Sequence, residues 1–91
     1  MSEQVLVIEG PLTMMQAQRQ VSLGRDYARR GDFTIDFQHV TESDSVALAL
    51  LLDWLRSARA AGHRMRLRNL PKGLGSLAVL YGIAELFEIE S

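Results

Sequence analysis

Apolar residues along this chain switch between a short and a helical period, and the switches mark its elements. Val5-Leu6-Val7-Ile8 is a continuous, largely β-branched run closed by Gly10-Pro11, which predicts a strand over residues 4–9 with both faces at least partly covered. Thr13 and Gln16 have the spacing of a capping box, so a helix is expected from Met14. Met14, Ala17, Val21 and Ala28 recur at helical steps, Gly24 replaces one contact, and the pattern stops near Gly31. Phe33-Thr34-Ile35-Asp36-Phe37 alternates as a second strand. Gln38 to Ser43 reads as a short polar connection, and Asp44 as the N-cap of a second helix running from Ser45 to about Ala61 and ending at Gly62. Met65-Arg66-Leu67-Arg68-Asn69 alternates as a third strand with its arginines toward solvent. Pro71 opens a third helix whose apolar stripe is Leu74, Leu77, Ala78 and Tyr81, with Gly82 as its stop. Residues 83–89 fit either a short strand or a last helical turn. Strand and helix alternate throughout, which is the order of an α/β fold with a small, mostly parallel sheet and crossover helices.

The second helix departs from the usual pattern, because Val46 to Leu52 is apolar on every side. A helix needs about one apolar stripe to pack on its own domain, so a second apolar face is either buried or given to a partner. At 100° per residue, Ala47, Leu48, Leu51, Trp54, Leu55 and Ala58 form the core face. Ser45, Ala49, Leu52, Asp53 and Arg56 form an outward strip, a candidate docking surface. Scattered surface apolar residues also occur with no function. Asp44 and Ser45 are both common at helix starts, which accounts for them fully. A hydroxyl exposed there is also placed for phosphorylation, because the helix dipole accommodates negative charge.

Composition narrows the functions without naming one. The 91 residues allow one domain with a modest core. A net charge of −1 lacks the positive field that nucleic-acid binding usually needs. Cysteine is absent, which removes disulfides and thiolate chemistry. The start Met1-Ser2-Glu3-Gln4 is polar and acidic rather than signal-like, and the longest apolar run is far short of the ~20 residues that span a bilayer. His39 and His63 lack the spacing of a metal site. Lys72 precedes Gly73 and Gly75, so the phosphate-loop order is not met. The cluster His63, Arg64, Arg66 and Arg68 fits a solvated strand face or, less commonly, an acidic partner. Asp36 and Asp44 have no converging nucleophile or base, so no catalytic residue, metal or cofactor is expected.

Three stretches together resemble a known family. Phe33 to Phe37, the loop, Asp44-Ser45-Val46-Ala47-Leu48-Ala49-Leu50-Leu51-Leu52, and Ala61-Gly62-His63 before a strand resemble the STAS domain, named for sulfate transporters and anti-sigma factor antagonists. Ile8-Glu9-Gly10-Pro11-Leu12-Thr13 and Leu77-Ala78-Val79-Leu80-Tyr81-Gly82-Ile83 are similar to the MlaB type, small subunits of a bacterial ABC system that moves phospholipid to keep the outer membrane asymmetric. The likeness covers essentially the whole chain, residues 1–91.

The resemblance implies a non-catalytic, cytoplasmic adaptor that binds the transporter's ATPase subunit and meets the inner membrane only through that complex. Partner binding is then expected at Asp44, Ser45, Ala49, Leu52, Asp53 and Arg56. Asp44 and Ser45 match the family's Asp-Ser/Thr pair, which implies the alternative of an anti-sigma factor antagonist phosphorylated at Ser45 by its kinase. Antagonists usually continue Asp-Ser-Ser-Gly, whereas Val46 and Ala47 follow here. STAS domains also often carry an extra first strand. This chain starts too late for a long one, so an open sheet edge and a homodimer of the isolated protein are expected.

Overall fold

A computed structural model describes residues 4–90 and, for Met14 and Met15, the backbone alone. The side-chain role expected of Met14 lies outside the described residues. The elements are β1 (Gln4–Leu12), α1 (Met14–Arg30), β2 (Phe33–Ser43), α2 (Ser45–Ala61), β3 (Met65–Arg68), α3 (Lys72–Leu80), a 3₁₀ turn (Ala84–Leu86) and β4 (Glu88–Ile89). The strands form one sheet in the order β1-β2-β3-β4, and every pair is parallel. Right-handed crossovers in a sequential order put all three helices on the same face. The register aligns Leu6, Ile35 and Leu67 across that face, and all three are buried with Ile8, Phe33, Phe37 and Met65.

The other face has the partial cover expected of it: Val5 is half-buried and Val7 is 45% exposed. Its row continues through Asp36 to Arg68, and the neighbouring row runs Val5, Thr34, Arg66, Glu88. Polar chemistry occupies this face. The Asp36 carboxylate accepts from Asn69 Nδ2 at 3.0 Å and from the Gln38 amide at 2.9 Å. These bonds, the Asn69 one foremost, hold its pKa below the ordinary carboxylate value. Asn69 ends β3 one residue earlier than expected, at φ 57, a left-handed conformation that asparagine tolerates better than most residues.

Arg64 and Arg68 do not simply face solvent. Arg64 grips Glu88 through Nε–Oε1 at 3.0 Å and Nη2–Oε2 at 2.6 Å, and Arg68 Nε lies 2.9 Å from Glu90. Arg66 Nε is 3.6 Å from Glu88. The acidic partner of this basic cluster is the chain's own last strand. Arg64 holds the Glu88 carboxyl below its usual range, and Glu88 raises the Arg64 guanidinium in turn. Exposed pairs of this kind add little stability individually, so their main effect is to fix where a two-residue strand lies.

Four further expectations are corrected. Residues 38–43 are not a loop but the second half of β2, pairing Glu9 with His39, Gly10 with Val40 and Leu12 with Ser43. Register shifts on either side of Gly10, at φ 79, let β1 continue past the point where Gly10-Pro11 was read as its end. Proline is tolerated there because β1 is an edge strand among the described residues. The bulge and Pro11 blunt the outer part of this open edge. The capping box does not close, since the Thr13 hydroxyl donates to Gln16 Oε1 at 2.8 Å and makes no bond to a helix amide. Tyr81 falls beyond α3 and is exposed, leaving Leu74 and Ala78 as that helix's buried residues. Residues 83–89 divide between both options, a 3₁₀ turn followed by β4.

α1 and α2 meet at an unusually close point. A Cβ placed on Gly24 would lie 1.9 Å from Cε2 of Trp54, so the indole packs directly on the α1 backbone. Trp54 is fully buried, and its Nε1 donates to the Val21 carbonyl at 3.0 Å. A carbonyl accepts only from a protonated nitrogen, so His63 Nδ1, 2.7 Å from Ala28 O, carries its proton and ties the entry of β3 to the end of α1.

Candidate functional site

The second helix begins as its sequence predicts. Asp44 is extended, and its Oδ1 accepts from the Val46 amide at 2.9 Å, satisfying one of the unpaired donors of the first turn. Gly62 closes the helix in the left-handed region at φ 78. Ala47, Leu48, Leu51, Trp54, Leu55 and Ala58 are all buried, as their spacing requires. With Asp44 acting as the cap, Ser45 is left exposed, and its hydroxyl bonds to nothing among the described residues. The cap thus falls to Asp44, as its position predicts, and the Ser45 hydroxyl takes no part in it.

Ser45, Ala49, Leu52 and Arg56 fall at i, i+4, i+7 and i+11, one ridge along the helix. Ser45, Ala49 and Arg56 are exposed, while Leu52 is half-buried against the edge of the core. Asp53 leaves this ridge. Its carboxylate takes a bidentate grip from Arg25 on α1, Nε–Oδ2 at 3.0 Å and Nη2–Oδ1 at 3.1 Å. Asp53 therefore braces the helix pair, and Asp44 holds the helix start.

Sequence reasoning missed what lies beside the ridge. Ala17, Gln18 and Val21 of α1 face Val46, Ala49 and Leu50 of α2 across an apolar cleft of about 370 Å³. Leu50 is buried at its floor, while Gln18 and Ala49 are exposed at its rim. The signal was present in part: Val46 and Leu50 are apolar residues that neither the core face nor the outward strip had claimed.

Charge is distributed unevenly between these two helices and the rest of the chain. α1 and α2 contain six of the ten basic residues and two of the eleven acidic ones, a net of +4 in a chain of net −1. Arg25 is held by Asp53, Arg29 by Asp26, and Arg30 lies over the Tyr27 ring. Arg19, Arg56 and Arg59 are exposed and pair with no acid among the described residues. No group of three or more histidine, aspartate or glutamate residues is placed to hold a metal among the described residues. No helix described is long and apolar enough to cross a membrane.

Comparison with known proteins places this geometry. Among curated proteins none matches significantly. The fold is similar to that of a Thermotoga maritima protein, provisionally assigned as an anti-sigma factor antagonist. The TM-score is 0.82 at 16% identity, covering 100% of this chain and 82% of that one. It is also similar to the anti-sigma factor antagonist SpoIIAA in its unphosphorylated form, with TM-score 0.72 at 14% identity, covering 100% and 83%. At such identities the likeness is one of fold. The family profile described as "Mlab, STAS domain" matches residues 1–88. This chain, with its parallel sheet and its Asp44-capped second helix, belongs to the MlaB-type STAS-domain family.

Proposed function

We propose that this protein is a non-catalytic adaptor subunit of a bacterial phospholipid ABC transport system, and that it docks the ATPase subunit through the α2 ridge. The observation that carries the reading is the ridge itself. Ser45 and Ala49 are exposed and small, so another backbone can approach closely, and Leu52 presents an apolar side chain between them and Arg56. Asp44 and Asp53 support this surface from the cap and from the Arg25 bridge. Membership of the MlaB-type family supports the identity of the partner.

Leu52→Asp is expected to abolish co-purification with the co-expressed ATPase subunit while leaving the far-UV circular dichroism spectrum unchanged. A charge buried in an interface without a partner costs several kcal/mol, whereas in the free protein Leu52 is only half-buried, at the edge of the core. Normal binding by a folded Leu52→Asp protein would remove the reading.

One observation favours a second reading, a phosphorylation-controlled antagonist of an anti-sigma factor. The Ser45 hydroxyl is exposed and unbonded at the start of a helix, where a phosphate is favoured by the dipole yet repels a close acidic partner. Intact mass after incubation with the cognate anti-sigma kinase and ATP decides between the two. The adaptor reading expects no addition, and one phosphate lost in Ser45→Ala would establish the switch instead.

A further inference from the structure

We infer that two copies of this chain pair edge to edge through β1, antiparallel about a two-fold axis at Val7, and join their sheets into one. The inference does not depend on the docking proposed for α2. β1 is an edge strand among the described residues, so every second peptide group along it turns its N–H and C=O outward with no strand to bond them. Edges that stay single are blunted by charge, proline, a bulge or shortness. Here Pro11 and the irregular backbone around Gly10 blunt only the outer end. From Gln4 to Ile8 the strand carries no charge and no proline. The three residues before Gln4 are too few to fold back along it, because a tight turn alone takes two.

Apolar surface flanks this edge on both sides. On the open face of the sheet lies Val7, and on the helix face lies Leu23 of α1, which is 40% exposed. At 100° per residue, Gln16, Gln20, Leu23 and Tyr27 form the side of α1 opposite to Gln18, Val21 and Arg25, which face α2. α1 lies over β1, where Gln4 Nε2 donates to the Tyr27 carbonyl at 3.3 Å, so this uncharged strip overhangs the free edge. Arg19 and Asp26 lie one row further round the helix, and Arg30 lies over the Tyr27 ring at the end of the strip.

These features select a second copy and its register. A closed dimer uses the same patch on both subunits, and antiparallel pairing sets both helix layers on one side, where Leu23 and its counterpart cover each other. Like charges directly opposite destabilise a ladder, and Glu9 is the only charged residue between positions 4 and 10. An axis at Val7 sets Val7 against its counterpart, Leu6 against Ile8 and Glu9 against Val5, so no acid faces an acid. Pro11 falls outside the ladder. The edge offers a foreign strand no charge to recognise. β4, the opposite edge, has two residues and is too short to hold β1 of another copy in an open head-to-tail chain.

The chain contains no cysteine, so Val7→Cys tests the axis directly. Cα atoms directly opposite in an antiparallel ladder are about 4.5–5.5 Å apart, inside the range of about 4.4–6.8 Å that a disulfide spans. Under mild oxidation, Val7→Cys is expected to convert to a disulfide-linked dimer. Val5→Cys, whose counterparts would lie about 14 Å apart along the ladder, and Leu80→Cys, at an exposed site on α3, are expected to remain unlinked. Sedimentation equilibrium of the unmodified chain is expected to show monomer and dimer in exchange. Val7→Lys and Leu23→Glu should each raise the dissociation constant at least tenfold with the circular dichroism spectrum unchanged. Linking of Val7→Cys no faster than of Leu80→Cys overturns the inference, as does an unmodified chain that is monomeric up to millimolar concentration. A dimer that both charged variants retain lies elsewhere on the molecule and overturns it equally.

Discussion

Gly24→Ala is expected to destabilise the domain by about 3 kcal/mol, although alanine is the better helix former. Propensity alone would favour alanine in a helix interior by about 1 kcal/mol. At this position the added methyl would sit 1.9 Å from the Trp54 ring, with two more ring atoms within 2.3 Å, and the contact is with a fully buried indole rather than with a flexible tip. The helices must separate or the ring must leave its pocket. Overpacking of this kind costs about 1–3 kcal/mol, and displacing the indole also strains its bond to Val21 O, worth about 1 kcal/mol. Against a total of about 5–15 kcal/mol for a natural domain, the loss is large. Urea unfolding followed by circular dichroism measures it, with Gly73→Ala as the control. Nothing lies within 4 Å of a Cβ at Gly73, so that midpoint should hold or rise slightly. Equal midpoints for Gly24→Ala and wild type would show that the helices are not in direct contact here.

The second large effect is expected at Asp36. Removing its carboxylate in Asp36→Ala leaves the Gln38 amide and the Asn69 side chain without their acceptor on a mostly buried site, at a cost of about 2 kcal/mol. Asn69 also loses the bond that accompanies its φ of 57. The pH dependence has a definite sign. The folded-state pKa of Asp36 is lowered, so its contribution is fully present above the unfolded value of about 3.9 and is lost as pH falls through the folded value. The stability gap between wild type and Asp36→Ala should therefore be constant near neutrality and narrow as pH falls below about 4, to what the neutral carboxyl's acceptor oxygen still contributes. Asp36→Asn, which retains an acceptor oxygen, should cost less and remove that acid-side change. A gap that persists unchanged at pH 2 would mean that the charge contributes nothing.

The sequence exposed the parts of this molecule that depend on side-chain burial. Ala47, Leu48, Leu51, Trp54, Leu55 and Ala58 were assigned to the core by spacing alone, and all six are buried. It concealed the parts that depend on backbone pairing or on how one element is set against another. Gln38 to Ser43 is polar and looked like a connection, yet ladder hydrogen bonds to β1 extend β2 through it with little help from burial. Arg64 and Glu88 are 24 residues apart, and nothing in either segment announces the other. The cleft was hidden for a similar reason. Its lining residues, among those described, come from two helices, and which of them face each other depends on how closely α1 approaches α2, a distance short at the Gly24–Trp54 contact.

That contact also gives the protein a built-in optical reporter. Trp54 is the only tryptophan in the chain, and its indole is bonded to Val21, a residue that lines the cleft. Its emission is sensitive both to unfolding and to movement of α1 against α2. Fluorescence of the unlabelled protein can therefore follow the α1–α2 packing directly, with Tyr27 and Tyr81 as the remaining, much weaker emitters.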